Sequence, residues 1–124
     1  MERTVAIAAL GALAQETRLD IFRLLVQQGP GGMAAGQIGE RLDLAPPTLS
    51  FHLNQLRFAG LVAHRRESRS IVYRANFQAM NELLGYLTEN CCGGRPEICA
   101  PAACAPERLA KSKVLKSKRR SNTI

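Results

Sequence analysis

The sequence predicts a mainly α-helical domain that carries one small β-hairpin. Over most of residues 4–58 and again after residue 77, apolar residues recur at helical spacing. Between these two regions the pattern changes to the alternation that is typical of short strands. The chain has 124 residues, of which 46% are hydrophobic, so its length and composition suit one core.

Two helices are predicted at the start of the chain. Residues 4–14 are mostly apolar on all sides, which suits a short helix buried against a partner. A second helix follows and ends at the run Gly29-Pro30-Gly31-Gly32, which no helix continues through. We expect the apolar face of this second helix to consist of Leu19, Ile21, Phe22, Leu25 and Val26.

The next two helices are short and closely spaced. Residues 34–42 form the first, residues 43–45 a tight connection, and residues 46–58 the second. Pro46 and Pro47 mark the start of the second helix, because proline is tolerated in the first turn, where the amides have no helical partner. Leu49, Leu53 and Leu56 then form one face for the core, which turns Thr48, Ser50, Phe51, His52 and Gln55 in other directions.

A hairpin and a final helix complete the domain. The segments LVAHRR and SIVYRA alternate as strands around a polar tip, ESR, in which Ser68 occupies a position that glycine or asparagine would suit better. Helical spacing then returns, with Cys91 and Cys92 predicted at the end of the helix and Gly93-Gly94 as its cap. Its apolar face is predicted to contain Phe77, Met80, Leu83, Leu84 and Leu87.

A short helix, a tight turn and a second helix with small polar side chains on its exposed side form a helix-turn-helix pattern. The second helix of such a pair fits the DNA major groove, where Ser, Thr, Gln and Asn side chains reach base edges. Three arginines at the hairpin tip, Arg65, Arg66 and Arg69, are suited to phosphate or minor-groove contact. The pattern therefore indicates a DNA-binding protein with a basic wing.

Three consecutive segments, LAQETRLDIFRLL, GQIGERLDLAPPTLSFHLNQLRFAGLV and RRESRSIVYRANF, resemble the signatures of the ArsR family of winged-helix repressors, in the same order and spacing. The resemblance covers about residues 10–92. It implies a winged helix-turn-helix homodimer, joined through its first and last helices, that binds double-stranded operator DNA. It also implies DNA-contacting residues on the recognition helix and in the wing: Thr48, Ser50, His52, Gln55, Arg65, Arg66 and Arg69.

Each of these assignments has a plainer alternative. His52 is equally consistent with a partly buried histidine that bonds within its own helix, and Ser50 with a small packing residue. Phe51 is interpreted as a packing residue and not as a base-stacking one. The wing arginines are also consistent with an ordinary solvated turn.

The net charge of +7 comes from the end of the chain. Residues 105–124 contain seven basic residues and one acidic residue, whereas residues 1–104 are nearly neutral. We therefore divide the chain into a DNA-binding and dimerisation domain (1–92), a cysteine-containing inducer segment (93–104) and a basic tail expected to be disordered (105–124). No membrane-spanning or secretory segment is recognisable, so the cytoplasm is the expected compartment.

All four cysteines, Cys91, Cys92, Cys99 and Cys104, lie within fourteen residues. In a cytoplasmic protein such a cluster points to metal, metalloid or redox chemistry. Soft thiolates select soft ions, and trivalent arsenic takes three of them in a pyramid. The segment NCCGGRPEICAPAAC resembles the C-terminal arsenic site of one branch of the ArsR family.

These observations predict an arsenite-responsive repressor that leaves its operator when As(III), or Sb(III), binds Cys91, Cys92 and Cys99, with Cys104 as a spare ligand. No catalytic cofactor is expected. A zinc, cadmium, lead or thiol-redox sensor of the same fold is the first alternative. A thiol enzyme and an architectural DNA binder are alternatives of other classes. An enzyme is not expected, because the two histidines, His52 and His64, lie in the DNA-reading half, away from the cysteines.

Overall fold

The computed structural model describes residues 1–95, and Cys99, Cys104 and the basic tail lie outside them. The chain divides into two compact units, Met1–Leu83 and Leu84–Ile124. Within residues 1–95, no helix is both long and apolar enough to cross a lipid bilayer.

The predicted fold class is confirmed: the described chain is mainly helical and carries a small antiparallel sheet. In chain order the elements are α1 (Arg3–Leu13), α2 (Glu16–Gln28), β1 (Met33–Ala34), α3 (Ala35–Leu42), α4 (Pro46–Phe58), β2 (Val62–Glu67), β3 (Ser70–Ala75) and α5 (Phe77–Leu87).

The first two helices bury different kinds of side chain. Helix α1 buries only its alanines, so its larger apolar residues, among them Ile7 (61% exposed), face outward. Helix α2 begins where the Gln15 side chain accepts a hydrogen bond of 2.8 Å from the Arg18 amide. The prediction that Leu19 belongs to the buried face of α2 is wrong, because this side chain is 43% exposed. The buried face consists of Ile21, Phe22, Leu24 and Leu25.

The core lies between α2, α3 and α4. Its largest fully buried side chains come from these helices and from the residue before β2: Ile21, Leu25, Ile38, Leu53, Leu56 and Leu61. Each large aliphatic side chain removed from water contributes about 1.5–3 kcal/mol, so these residues fix how α3 and α4 pack.

The sheet has one strand more than the sequence predicts. The predicted hairpin pairs β2 with β3, from Val62 opposite Ala75 to Glu67 opposite Ser70, so Glu67 belongs to β2 and the tip is shorter than the predicted ESR. The additional strand, β1, pairs with the other edge of β3. Gly32 permits this pairing: its φ is +77°, and a Cβ there would lie 2.5 Å from the Tyr73 carbonyl oxygen.

Asn76 connects the hairpin to α5. Its side-chain oxygen accepts a hydrogen bond of 3.1 Å from the Ala79 amide and so caps the helix. Its side-chain nitrogen donates to the Gly60 carbonyl at 2.9 Å, close to the start of β2. One side chain therefore bonds to both the start of α5 and the segment that leads into the sheet.

Helix α5 ends earlier than predicted. Its last residue is Leu87, so Cys91 and Cys92 do not lie at the helix end. They lie instead in a separate short 3₁₀ turn, Cys91–Gly94, which we call the cysteine turn. Leu84 and Leu87 are 43% and 55% exposed, so the predicted apolar face of α5 is largely uncovered in this part of the chain.

Candidate nucleic-acid interface and thiol pair

Helix α4 is fixed at its start and along one side. It begins with Pro46 and Pro47 in its first turn, as predicted, and its buried side consists of Leu49, Leu53 and Leu56. The turn before it is tight: Asp43 adopts a left-handed backbone with φ of +56°, and the Leu44 amide donates to the Gly39 carbonyl at 2.9 Å. The opposite side of α4 therefore faces solvent in a fixed orientation.

Three of the predicted DNA-contacting residues of α4 lie on its accessible sides. Thr48 and Ser50 are exposed, and Gln55 is half-buried. Hydroxyl and amide groups of this kind hydrogen-bond to base edges in a major groove. Their contact with DNA stays a prediction.

His52, also predicted to contact DNA, is bonded within the protein. Its Nδ1 lies 3.3 Å from a terminal nitrogen of Arg18, whose Nε donates to the Ala12 carbonyl at 2.6 Å. Since arginine only donates, Nδ1 accepts and the proton of the neutral ring is on Nε2. Burial, followed by the nearby charge of Arg18, lowers the pKa of His52 below its usual value. The ring therefore favours the neutral form, with its Nε2 as the remaining donor.

Phe51 lies away from the leucine face of α4, as its spacing predicts, and its side chain is 56% exposed. It lies two residues from both Leu49 and Leu53 and therefore about 200° around the helix from each. Its interpretation as a packing residue stays a prediction, because residues 1–95 leave most of this side chain uncovered. Its ring makes an edge-on contact with the ring of His52, with 5.3 Å between the centroids.

The three predicted wing arginines differ in their surroundings. Arg65 forms a 2.6 Å ion pair with Glu67 and donates to the Gly31 carbonyl at 3.1 Å, so its guanidinium is already occupied. The side chains of Arg66 and Arg69 are exposed and form no hydrogen bond or ion pair with another residue in the range 1–95. Arg66 and Arg69 are therefore the wing cations best placed to meet phosphate.

The cysteine turn brings two thiols together. The Sγ atoms of Cys91 and Cys92 lie 3.2 Å apart, which is a hydrogen-bond contact and well beyond the roughly 2.05 Å of a disulfide. Left-handed backbones at Asn90 (φ +57°) and Cys92 (φ +60°) create this arrangement. The hydrogen bond with Cys91, followed by desolvation and the charge of the neighbouring thiolate, raises the pKa of Cys92.

The third predicted ligand, Cys99, and the spare cysteine, Cys104, lie outside the described residues. Within residues 1–95, no group of three or more His, Cys, Asp or Glu side chains is arranged to hold a metal ion. This part of the chain therefore contains a pair of neighbouring thiols, and the ligand set of Cys91, Cys92 and Cys99 stays a prediction.

Comparisons with known proteins agree with this geometry. A family model described as a helix-turn-helix domain matches residues 13–65. The nodulation protein NolR of Rhizobium meliloti is 34% identical over 85 residues, which are 68% of this chain and 67% of NolR. The transcriptional activator HlyU of Vibrio cholerae is 37% identical over 82 residues, which are 64% of this chain and 73% of HlyU.

Solved structures lead to the same group of proteins. HlyU from Vibrio cholerae superposes with a TM-score of 0.56 at 36% identity, covering 70% of this chain and 97% of that one. A domain of Mb0332 from Mycobacterium bovis superposes with a TM-score of 0.58 at 27% identity, covering 70% and 81%. That domain is described as a homodimeric winged helix-turn-helix DNA-binding domain of "a possible ArsR-family transcriptional regulator".

Proposed function

Because this chain belongs to the ArsR family of winged helix-turn-helix transcription regulators, we propose that it is a repressor that leaves its operator when As(III) binds its cysteines. The proposed ligands are Cys91, Cys92 and Cys99. As a homodimer it presents two copies of α4 to successive major grooves of a palindromic site, roughly 34–36 Å apart. The homodimeric state of Mb0332 and the exposed apolar side chains of α1 support this assembly.

The observation that carries the choice of ligand is the contact between the two thiols. With 3.2 Å between the Sγ atoms, Cys91 and Cys92 are adjacent donors for one soft ion. Arsenous acid, As(OH)₃, reacts with three thiols to form three As–S bonds and three molecules of water, so each thiol proton leaves with a hydroxide. The raised pKa of Cys92 is compatible with this exchange, because the thiol proton leaves as part of a water molecule when the As–S bond forms.

The relatives do not assign the ligand. They range from a nodulation protein to a transcriptional activator, so the family supports regulation of transcription and leaves the inducer to the residues of this chain. Neighbouring cysteines are poor spacing for zinc, which prefers ligands such as C-x2-C that let the chain wrap around the ion. Sb(III) shares the coordination chemistry of As(III) and is expected to act in the same way.

A redox response is the second candidate function, and the same contact favours it. Two neighbouring thiols are open to oxidation when they are accessible, and those of Cys91 and Cys92 are only partly buried. One of the related structures is described as reduced HlyU from Vibrio cholerae. In this alternative, oxidation of the cysteines would replace arsenic binding as the signal.

The test is release of the protein from an operator selected from random duplex DNA. Arsenite, antimonite, zinc, cadmium and peroxide are titrated side by side against the complex, and the bound fraction is followed by fluorescence anisotropy. We expect arsenite and antimonite to release the DNA at the lowest concentrations. Release by peroxide alone would favour the redox response, and release by zinc or cadmium alone would favour a tetrahedral metal site.

Serine variants identify the ligands. Replacing Cys91, Cys92 or Cys99 exchanges a soft thiolate for a hard hydroxyl, so arsenite should no longer release the DNA while the operator is still bound. Cys104→Ser is the matched control and should stay responsive. If Cys104→Ser fails like the others, a four-thiolate site is indicated and the three-coordinate proposal is wrong.

A further inference from the structure

We propose that Phe51 determines operator sequence by packing against the C5-methyl group of a thymine in the major groove. This proposal rests on sequence-specific DNA binding by α4, as set out above. It gives a role to a large apolar side chain that the fold leaves 56% exposed. Phe51 would add apolar recognition to the polar contacts predicted for its neighbours.

The position of Phe51 on the helix is the first argument. The buried side of α4 is defined by Leu49, Leu53 and Leu56, and Phe51 lies on the opposite side. Thr48 precedes it by three residues and Gln55 follows it by four, so both are its neighbours on the helix surface. The phenylalanine therefore lies at the centre of the surface that α4 would present to a groove, in the half of the helix that contacts bases.

The second argument is that the ring is held in place. His52 contacts it edge-on at 5.3 Å, and His52 in turn lies 3.3 Å from Arg18, which bonds to the end of α1. Phe51 is thus braced by His52 and, through His52, by Arg18. These side chains link it to α2 and to α1. A braced aromatic ring loses less conformational freedom on binding than a mobile one.

The third argument comes from the chemistry of the groove. Base pairs display hydrogen-bond donors and acceptors in the major groove, and the thymine methyl is the apolar group among them. The sequence of α4, PPTLSFHLNQLRF, contains no acidic residue that would repel DNA. A phenylalanine at the centre of this surface would bury polar base edges without compensation, unless a methyl group lies opposite it.

The test removes single methyl groups from the DNA. In the operator selected by the wild-type protein, each thymidine of one half-site is replaced in turn by deoxyuridine, and affinities are measured for wild type and Phe51→Ala. For wild type we expect one replacement to weaken binding about fourfold, the equivalent of one buried methyl group. Phe51→Ala should bind the thymine duplex more weakly than wild type does. The variant should bind the thymine duplex and the deoxyuridine duplex with the same affinity.

Two variants serve as controls. Phe58 is also exposed, at 73%, but lies at the last position of α4, where Arg57 stacks over its ring at 5.2 Å. Phe58→Ala should therefore still bind about fourfold more weakly when the thymidine is replaced by deoxyuridine. Phe51→Leu retains an apolar side chain and should keep most of this fourfold difference. The leucine variant thus separates loss of apolar contact from general damage to the protein.

Several outcomes would overturn the proposal. These are a wild-type protein that is indifferent to every deoxyuridine, a Phe51→Ala variant that keeps the wild-type response, and a Phe51→Ala variant that loses its dimeric state in sedimentation. The last outcome would place the ring in a protein interface. A wild-type protein that selects no DNA sequence at all would reject sequence-specific reading by α4 itself, so the two failures are distinguishable.

Discussion

Helix α4 and the cysteine turn carry the two halves of the proposed function, and they are built in different ways. Helix α4 buries three leucines and packs against α1, α2, α3 and β2. The cysteine turn buries no residue and is bounded by main-chain hydrogen bonds, from Cys91 to Thr88 and from Arg95 to Cys92, both of 2.9 Å. A surface that reads DNA needs a fixed geometry before binding, whereas a thiol site can be shaped by the ion that joins its ligands.

The largest loss of stability is expected from a substitution in the core beneath α4. Leu53 is 1% exposed, and Leu53→Ala should lower the free energy of unfolding by about 2–5 kcal/mol. Urea denaturation followed by circular dichroism measures the change, and affinity for the operator should fall with it. Leu19→Ala, at a 43% exposed position of α2, is the control and should change the free energy of unfolding far less. Equal losses in the two variants would contradict the dependence of α4 on its buried leucines.

An intermediate loss of stability is expected at Asn76. Its side chain bonds to the first turn of α5 and to the Gly60 carbonyl, which follows closely after α4. Asn76→Ala removes the helix cap and leaves the Gly60 carbonyl without its side-chain partner, so the protein should lose about 0.5–2 kcal/mol of stability. Asn81→Ala, at an exposed position within α5, is the matched control and should be close to neutral. Thermal unfolding compares the two variants. A loss no larger for Asn76 than for Asn81 would show that the cap contributes little.

The smallest effect is expected in the cysteine turn. Serine at both Cys91 and Cys92 should leave the free energy of unfolding within about 0.5 kcal/mol of wild type, because neither side chain belongs to the core. The same variant should lose its response to arsenite completely. Unfolding curves and operator release, measured on one preparation, separate the two properties. A marked loss of stability would mean that the thiol pair supports the fold and is not reserved for a ligand.

The features that the sequence predicts correctly depend on residues that lie close together in the chain. The features that it misses depend on residues that are far apart in the chain. The bounds of α4 agree with the structure, because two prolines and three leucines are local signals. Strand β1 was missed, since its two residues form a strand only through pairing with β3, about forty residues later in the chain. The bond between Arg18 and His52 spans 34 residues and has no local signature either. The end of α5 was misplaced because apolar spacing continues past the point where the helical backbone stops.

The sheet order β1-β3-β2 leaves one side of β2 without a partner strand among residues 1–95. Such an edge exposes unpaired amides and carbonyls to which a strand of another molecule can add. From His64 onward every side chain of β2 is exposed, and that stretch includes Arg65, Arg66 and Glu67. Charged side chains on an edge strand oppose aggregation, because an incoming strand would have to desolvate them. Arg65 and Arg66 thus oppose the addition of a further strand to this edge, and Arg66, which forms no ion pair within residues 1–95, is also available to a nucleic acid.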